Sequence, residues 1–251
     1  EALAGGGGPD LVLLPHDFIF KHQNKLVALP YKSFSERSFK DTFIEEGELF
    51  LTKEGILGFP FTIDPLVMYW NRNIFSNEGI SQPPAYWDEF FTIAPKVTKR
   101  DDAGNITRST VALGEYANID NAKGILSALI IQTGTPIVAR GERGIESVLG
   151  DRGDFPAPPA EAALLFYTEF SNPVKSVYSW NRALPNSRQA FIGGDLAVYF
   201  GFASELSELR KGNPNLNFDV APIPQTRDIP TRSTFGMLGA FSVTRTSKSV
   251  N

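Results

Sequence analysis

No cysteine occurs in this 251-residue chain. That excludes disulfides, thiolate metal sites and cysteine nucleophiles. The lack fits a reducing compartment, and equally an exported protein that folds without oxidation. Histidine is almost as scarce. His16 and His22 stand too far apart for the three- or four-residue step of helical metal ligands, so neither a metal nor a cofactor is expected. No apolar run approaches the roughly 20 residues of a membrane-spanning helix, and no secretory leader is visible. Dense Lys/Arg runs are missing too. Lys99-Arg100 is followed at once by Asp101-Asp102, and the net charge is −4, which argues against nucleic acid as a partner. Gly5–Gly8 lacks the Gly-Lys-Ser/Thr that completes a phosphate loop. There is no Gly-x-Ser-x-Gly nucleophile elbow.

What is present is ordinary globular composition, with 42% hydrophobic and 21% charged residues. This is enough for one large domain or two smaller ones. Glu1–Ala4 reads as a helix end stopped by Gly5–Gly8, so the chain reads as starting mid-domain and as truncated at both ends. Leu11–Leu14, between Pro9 and Pro15, predicts a strand buried on both faces, as in a parallel sheet. Helices are expected from Asp17 to about Leu26 and from about Ser35 to Phe50. Gly55–Phe61 and Leu66–Trp70 read as two strands around a polar break, Thr62–Pro65.

Further along, Asn71–Asn77 predicts a short helix closed by Gly79. Trp87, Phe90, Phe91 and Ala94 mark an amphipathic helix that Pro95 kinks or ends. Asp101–Asn105 reads as a turn, and Val111–Leu113 as a strand. Asn121–Thr133 is a helix apolar all round, hence buried. Arg140–Pro159 reads as a long surface loop, and Pro159–Phe170 as a helix. Asn186 or Ser187 can cap a helix that Gly193-Gly194 ends. Strands follow at Leu196–Phe200, Phe218–Ile223 and Leu238–Val243. Helices alternating with short apolar strands predict an α/β layered fold.

The segment Gly55–Phe75, GILGFPFTIDPLVMYWNRNIF, resembles the lobe-crossing segment of family 1 extracellular solute-binding proteins, the maltose-binding-protein-like receptors of ABC importers. Its matching parts are Gly58-Phe59-Pro60, the polar stretch Thr62–Asp64, Tyr69-Trp70-Asn71 and the helix start Asn71–Phe75. Six further blocks in the family's order are similar: Gly8–Val12, Gly79-Ile80, Pro83–Phe90, Thr98–Gly114, Gln189–Val198 and Phe241–Lys248. Tyr86 and Val198 depart from the residues usual at their positions.

The resemblance implies two α/β lobes of the periplasmic-binding-protein-like type (class II), the first of them incomplete. Lobe one would hold residues 1–63 and 225–251, and lobe two residues 64–224. A sugar or oligosaccharide would be captured between the lobes by closure about a hinge at Thr62–Pro65. The receptor would be a monomer, extracellular or periplasmic, serving the membrane permease subunits of an ABC importer. A lipid on a missing N terminus is one way to hold it there.

Sugar recognition calls for carboxylates and amides toward hydroxyls and for aromatic faces against C–H faces. Ligands of α/β folds sit at strand ends and loop starts. The resemblance and those positions together nominate His16, Asp17, Asp64, Tyr116, Asn118, Trp180, Phe202, Ser204 and Phe235. Asp17 is chemically as apt for a helix N-cap, Asp64 for a turn, Asn118 for an Asx-turn and Trp180 for the core. Ser204 stands where the family has Trp, which weakens a maltodextrin-specific reading. A receptor for a polyamine or a polyol phosphate remains open. So does a carbohydrate hydrolase using Asp17 and Asp64 as an acid pair.

Overall fold

The computed structural model describes residues 7–141, 144–153 and 155–248. The expected helix end at Glu1–Ala4, and its stop at Gly5-Gly6, lie outside the described residues. The elements run β1 (Leu11–Pro15), α1 (His16–Lys21), β2 (Leu26–Val27), α2 (Glu36–Thr42), β3 (Phe59–Asn71), α3 (Arg72–Asn77), α4 (Phe90–Val97), β4 (Lys99–Arg100) and β5 (Ile106–Val111). They continue with α5 (Ala122–Ile131), β6 (Val138–Gly141), β7 (Gly144–Ser147), α6 (Pro159–Glu169), α7 (Ser187–Gly193), β8 (Leu196–Phe202), α8 (Leu206–Gly212), β9 (Phe218–Pro222) and β10 (Gly236–Thr244). The chain forms two compact units. Unit 1 is Glu1–Asp64 with Gly236–Asn251, and unit 2 is Pro65–Phe235.

In unit 1, β1 pairs antiparallel with β10, Leu13 opposite Phe241, and β2 pairs with the end of β10. The core lies on one face, where Ile19, Leu26, Phe50, Leu57, Leu238 and Ala240 pack with Val12 and Leu14. The opposite face is apolar and open: Leu11 is 56% exposed and Phe61 64% exposed. The rings of Phe61 and Phe241 meet there at 4.9 Å. The expectation of a parallel strand buried on both faces is therefore corrected. Antiparallel pairs bury alternate residues, and a four-residue apolar run does not reveal whether its second face is covered.

Both helices expected in this unit are shorter than their apolar patterns. α1 stops at Lys21, a 3-10 turn takes Gln23–Lys25, and Leu26 enters β2. α2 begins at a Ser35 cap whose hydroxyl accepts the Ser38 N–H at 3.0 Å, and it ends before Phe43, which is extended. A 3-10 turn, Glu45–Phe50, follows. The bend lets Phe39 and Phe43 both pack on Phe59, while Phe50 stacks on Phe20 instead. The helical spacing of these rings thus reflects a shared core and not one straight stripe.

The break expected at Thr62–Pro65 is absent, because β3 runs uninterrupted from Phe59 to Asn71. Pro65 drives Asp64 toward the extended backbone, which continues a strand as readily as it makes a connector.

In unit 2, β3 lies between β8 and β9, antiparallel to both, with Met68 opposite Phe200 and Ala221. β8 runs parallel to β5, Val111 opposite Val198. β4 closes on β5 through the expected turn, where Gly104 takes φ 85° and Asp101 accepts the Asn105 N–H at 2.8 Å. β5 ends at Val111, so the strand expected at Val111–Leu113 lies earlier than its pattern. The sheet's core includes Met68, Tyr69, Phe75, Phe90, Val111, Ala128, Phe170, Phe191 and Val198. α5 is buried along most of its length, as its apolar sequence predicts. Pro95 does not stop α4, which ends at Val97. Pro95 has no N–H to donate back to Phe91, yet the turn beyond it closes, with Thr98 N–H donating to the Ala94 carbonyl at 3.0 Å. The stretch expected as a loop at Arg140–Pro159 includes the end of β6 and all of β7, which pair antiparallel with Val138 opposite Ser147. α7 has its Asn186 cap and ends at Gly194, φ 86°.

Candidate functional site

The parallel pair β5–β8 brings two loop starts to one end of the unit 2 sheet. After β5 the chain turns at Gly114, φ 92°, where a Cβ would lie 2.5 Å from the Ser171 hydroxyl. Only glycine fits that turn. The Tyr167 hydroxyl donates to the Glu115 carbonyl at 2.6 Å. Burial, reinforced by the Glu115 charge, pushes that phenol well above its ordinary range, so it stays a donor. Tyr116 then projects from the loop, 77% exposed.

Asn118 is fully engaged. Its Nδ2 donates to the carbonyls of Asn181 and Leu184 at 2.9 and 3.0 Å, and its Oδ1 accepts the Trp180 indole N–H at 3.1 Å. Trp180 is only 1% exposed and belongs to the core. These two nominated residues come together, and they bind each other and the 181–184 loop.

At the end of β8 a buried carboxylate organises the chain. Glu205 accepts the Phe202 N–H (2.8 Å), the Asn121 side-chain N–H (2.9 Å), the Tyr199 hydroxyl (2.6 Å) and Arg188 Nε (3.0 Å). Burial, then the Glu205 charge, hold the Tyr199 phenol far above its usual range. The Arg188 guanidinium is held up as well. Burial acts against its charge there, but Tyr199, Glu205 and Asp120 outweigh it. The network ties together the start of α5, the start of α7 and the end of β8.

Phe202 and Phe235, both nominated, also meet. Leu66 of β3 pairs with Phe202, and the Leu66 N–H donates to the Phe235 carbonyl at 2.8 Å. The two half-buried rings stand 6.4 Å apart at 55°. Gly124 of α5 lies against both rings. Ser204 is exposed just beyond them.

The other nominated residues belong to unit 1. His16 opens α1, and its Nδ1 accepts the Leu238 N–H at 3.2 Å. Asp17 is the second residue of α1, with its carboxylate on the Phe18 N–H at 2.9 Å. The N-cap position falls to Pro15. Asp64, half-buried, lies within β3. Among the described residues no group of three or more His, Asp or Glu is placed to hold a metal. None of their helices is long and apolar enough to cross a membrane.

Sequence reasoning passed over Gly124, Glu205, Asn121 and Arg188. Glu205 had a usable signal, since an acid three residues beyond a strand end can reach back to that end's N–H. The others had none, because their partners lie 11 to 111 residues away in the chain.

The bacterial extracellular solute-binding protein family matches residues 1–240, and the chain belongs to it. Its mixed α/β fold is that of the two-lobed, periplasmic-binding-protein-like structures. The solved structures it is similar to include CpMnBP1 with mannotriose bound, at 21% identity and TM-score 0.67, covering 98% of this chain and 62% of that one. A cyclo/maltodextrin-binding protein complexed with maltotetraose gives 18% and 0.71, covering 99% and 59%. An ABC substrate-binding protein from Listeria monocytogenes in complex with cycloalternan gives 16% and 0.70, covering 99% and 60%. A binding protein of Brucella abortus is 28% identical over 99 residues, 38% of this chain and 23% of that protein. The chain thus spans about three-fifths of the solved chains it matches and a quarter or less of the curated relative.

Proposed function

We propose that the chain is the ligand-binding part of an extracellular receptor that captures a sugar or oligosaccharide for an ABC importer and releases it unchanged. The observation that carries this reading is the Phe202–Phe235 pair, two half-buried rings at a strand end in a chain of the solute-binding family. Aromatic faces stack on the C–H faces of sugars, and related folds are solved with mannotriose, maltotetraose and cycloalternan. Asp17, Asp64, Tyr116 and Ser204 are the further contacts proposed, each through its own carboxylate or hydroxyl. Asn118, Trp180 and His16 support the site, since their polar groups are engaged within the protein. The receptor acts as a monomer beside the permease, and it performs no chemistry.

Calorimetric titration of the full-length protein with mannobiose, mannotriose, maltotetraose and cycloalternan tests this. Saturable binding with the sugar recovered intact is the expected result. Phe202→Ala should weaken it about tenfold, the worth of one good aromatic contact. Sugar hydrolysis would overturn the reading. Silence toward every sugar would end the carbohydrate assignment, and a response to spermidine or a polyol phosphate would redirect it.

A further inference from the structure

We infer that Gly124 is a positioning residue that sets the angle and reach of the Phe202–Phe235 pair. This rests on the reading of that pair as a ligand contact. Gly124 is the third residue of α5, a ten-residue helix, and it is buried. A glycine inside a helix costs about 1 kcal/mol relative to alanine. Its φ is not left-handed, so the backbone does not require it. The space does. A Cβ on residue 124 would stand 3.3 Å from Phe235 Cδ1, 3.7 Å from its Cε1 and 3.8 Å from Phe202 Cζ. Ordinary carbon–carbon contact falls at about 3.5–4.0 Å. The first approach is therefore too close, and the Phe235 ring has to move by a few tenths of an ångström.

Neither partner yields freely on the backbone side. Phe235 is held through its carbonyl by the Leu66 N–H, and Phe202 through its N–H by the buried Glu205 carboxylate. A methyl at 124 is relieved by turning the Phe235 ring about its side-chain bonds. That changes the angle the two rings present. Binding and stability are thereby separated. Alanine improves the helix and crowds the rings, so folding stability stays near wild type while the aromatic surface changes.

The test is a double-mutant cycle between Gly124→Ala and Phe235→Leu in the full-length protein. It is read with whichever sugar of the titration panel binds most tightly. Gly124→Ala should weaken binding by about tenfold and leave the thermal midpoint essentially unchanged. In the Phe235→Leu background the same substitution should have little effect, because no ring remains to be displaced. The ¹⁹F signal of 4-fluorophenylalanine at 235 should shift with Gly124→Ala in the absence of sugar. Unchanged affinity, or the same loss with Leu at 235, overturns the inference. If the wild type binds no sugar, the functional reading fails on its own. The ¹⁹F signal still judges the ring contact, and an unmoved signal overturns it.

Discussion

The two units solve the same packing problem differently. Unit 2 buries both faces of β8 and nearly all of β3 from Leu66 onward, and builds a continuous core from β3, β5, β8 and their flanking helices. Unit 1 covers one face of its strands and leaves Leu11, Leu13, Phe61 and Phe241 on the other in contact with solvent. The polar groups follow suit. Unit 2 carries a buried carboxylate with four donors on it, at Glu205. Unit 1 carries a buried hydroxyl, Ser242 Oγ, with no partner among the described residues. The lesson is that alternation in a strand records one covered face. Burial on the second face depends on what other elements bring to it.

All three tryptophans, Trp70, Trp87 and Trp180, lie in unit 2, so indole fluorescence reports that unit alone. The sharpest test of its self-sufficiency is Trp180→Ala. Removing this buried ring should cost about 3–5 kcal/mol and lower the urea midpoint seen by fluorescence. A near-neutral result would mean that Trp180 is not the core residue its burial indicates. Phe50→Ala, in the smaller core of unit 1, should cost about 3 kcal/mol. If the units unfold independently, circular dichroism should register that loss while the fluorescence transition stays put. Coincident shifts would dissolve the distinction.

A smaller effect is pH-dependent. Hydrogen bonding to Lys99, then to Arg108, holds the Glu78 carboxyl below its ordinary 4.5 in folded unit 2. Its contribution is therefore complete above pH 4.5 and is lost as pH falls through the lowered folded value. Glu78→Gln should flatten that acid limb of the unit 2 stability profile, and an unaltered limb would assign it elsewhere. The least effect is expected at Ser242→Ala, neutral or stabilising by up to about 1 kcal/mol, since an orphan hydroxyl is removed. A clear loss of stability would show that Ser242 has a partner.

Legibility in the sequence followed the range of the interactions. The helix start at Asn71, the Asn186 cap, the Gly194 stop and the Asp101–Asn105 turn were readable because each rests on residues within a few positions. Buried α5 was readable because no polar face interrupts it. The limits of α2 were not, because the rings of Phe34, Phe39, Phe43 and Phe59 share one cluster and periodicity cannot tell a bent chain from a straight helix. The candidate site divides in the same way. Phe202 and Phe235 were found from their places at strand ends. Which polar groups are already engaged, as in Asn118, was invisible.

The sequence by itself determined the α/β class, the resemblance to solute-binding receptors and the aromatic residues suited to a sugar. These depend on composition, local pattern and motif order, which need no contact map. Tertiary structure alone decided that β3 is one strand, that β1 has an open face, and that Gly124 lies against two rings from distant segments. Each of those facts is a distance between residues far apart in the chain, and no local pattern encodes such a distance.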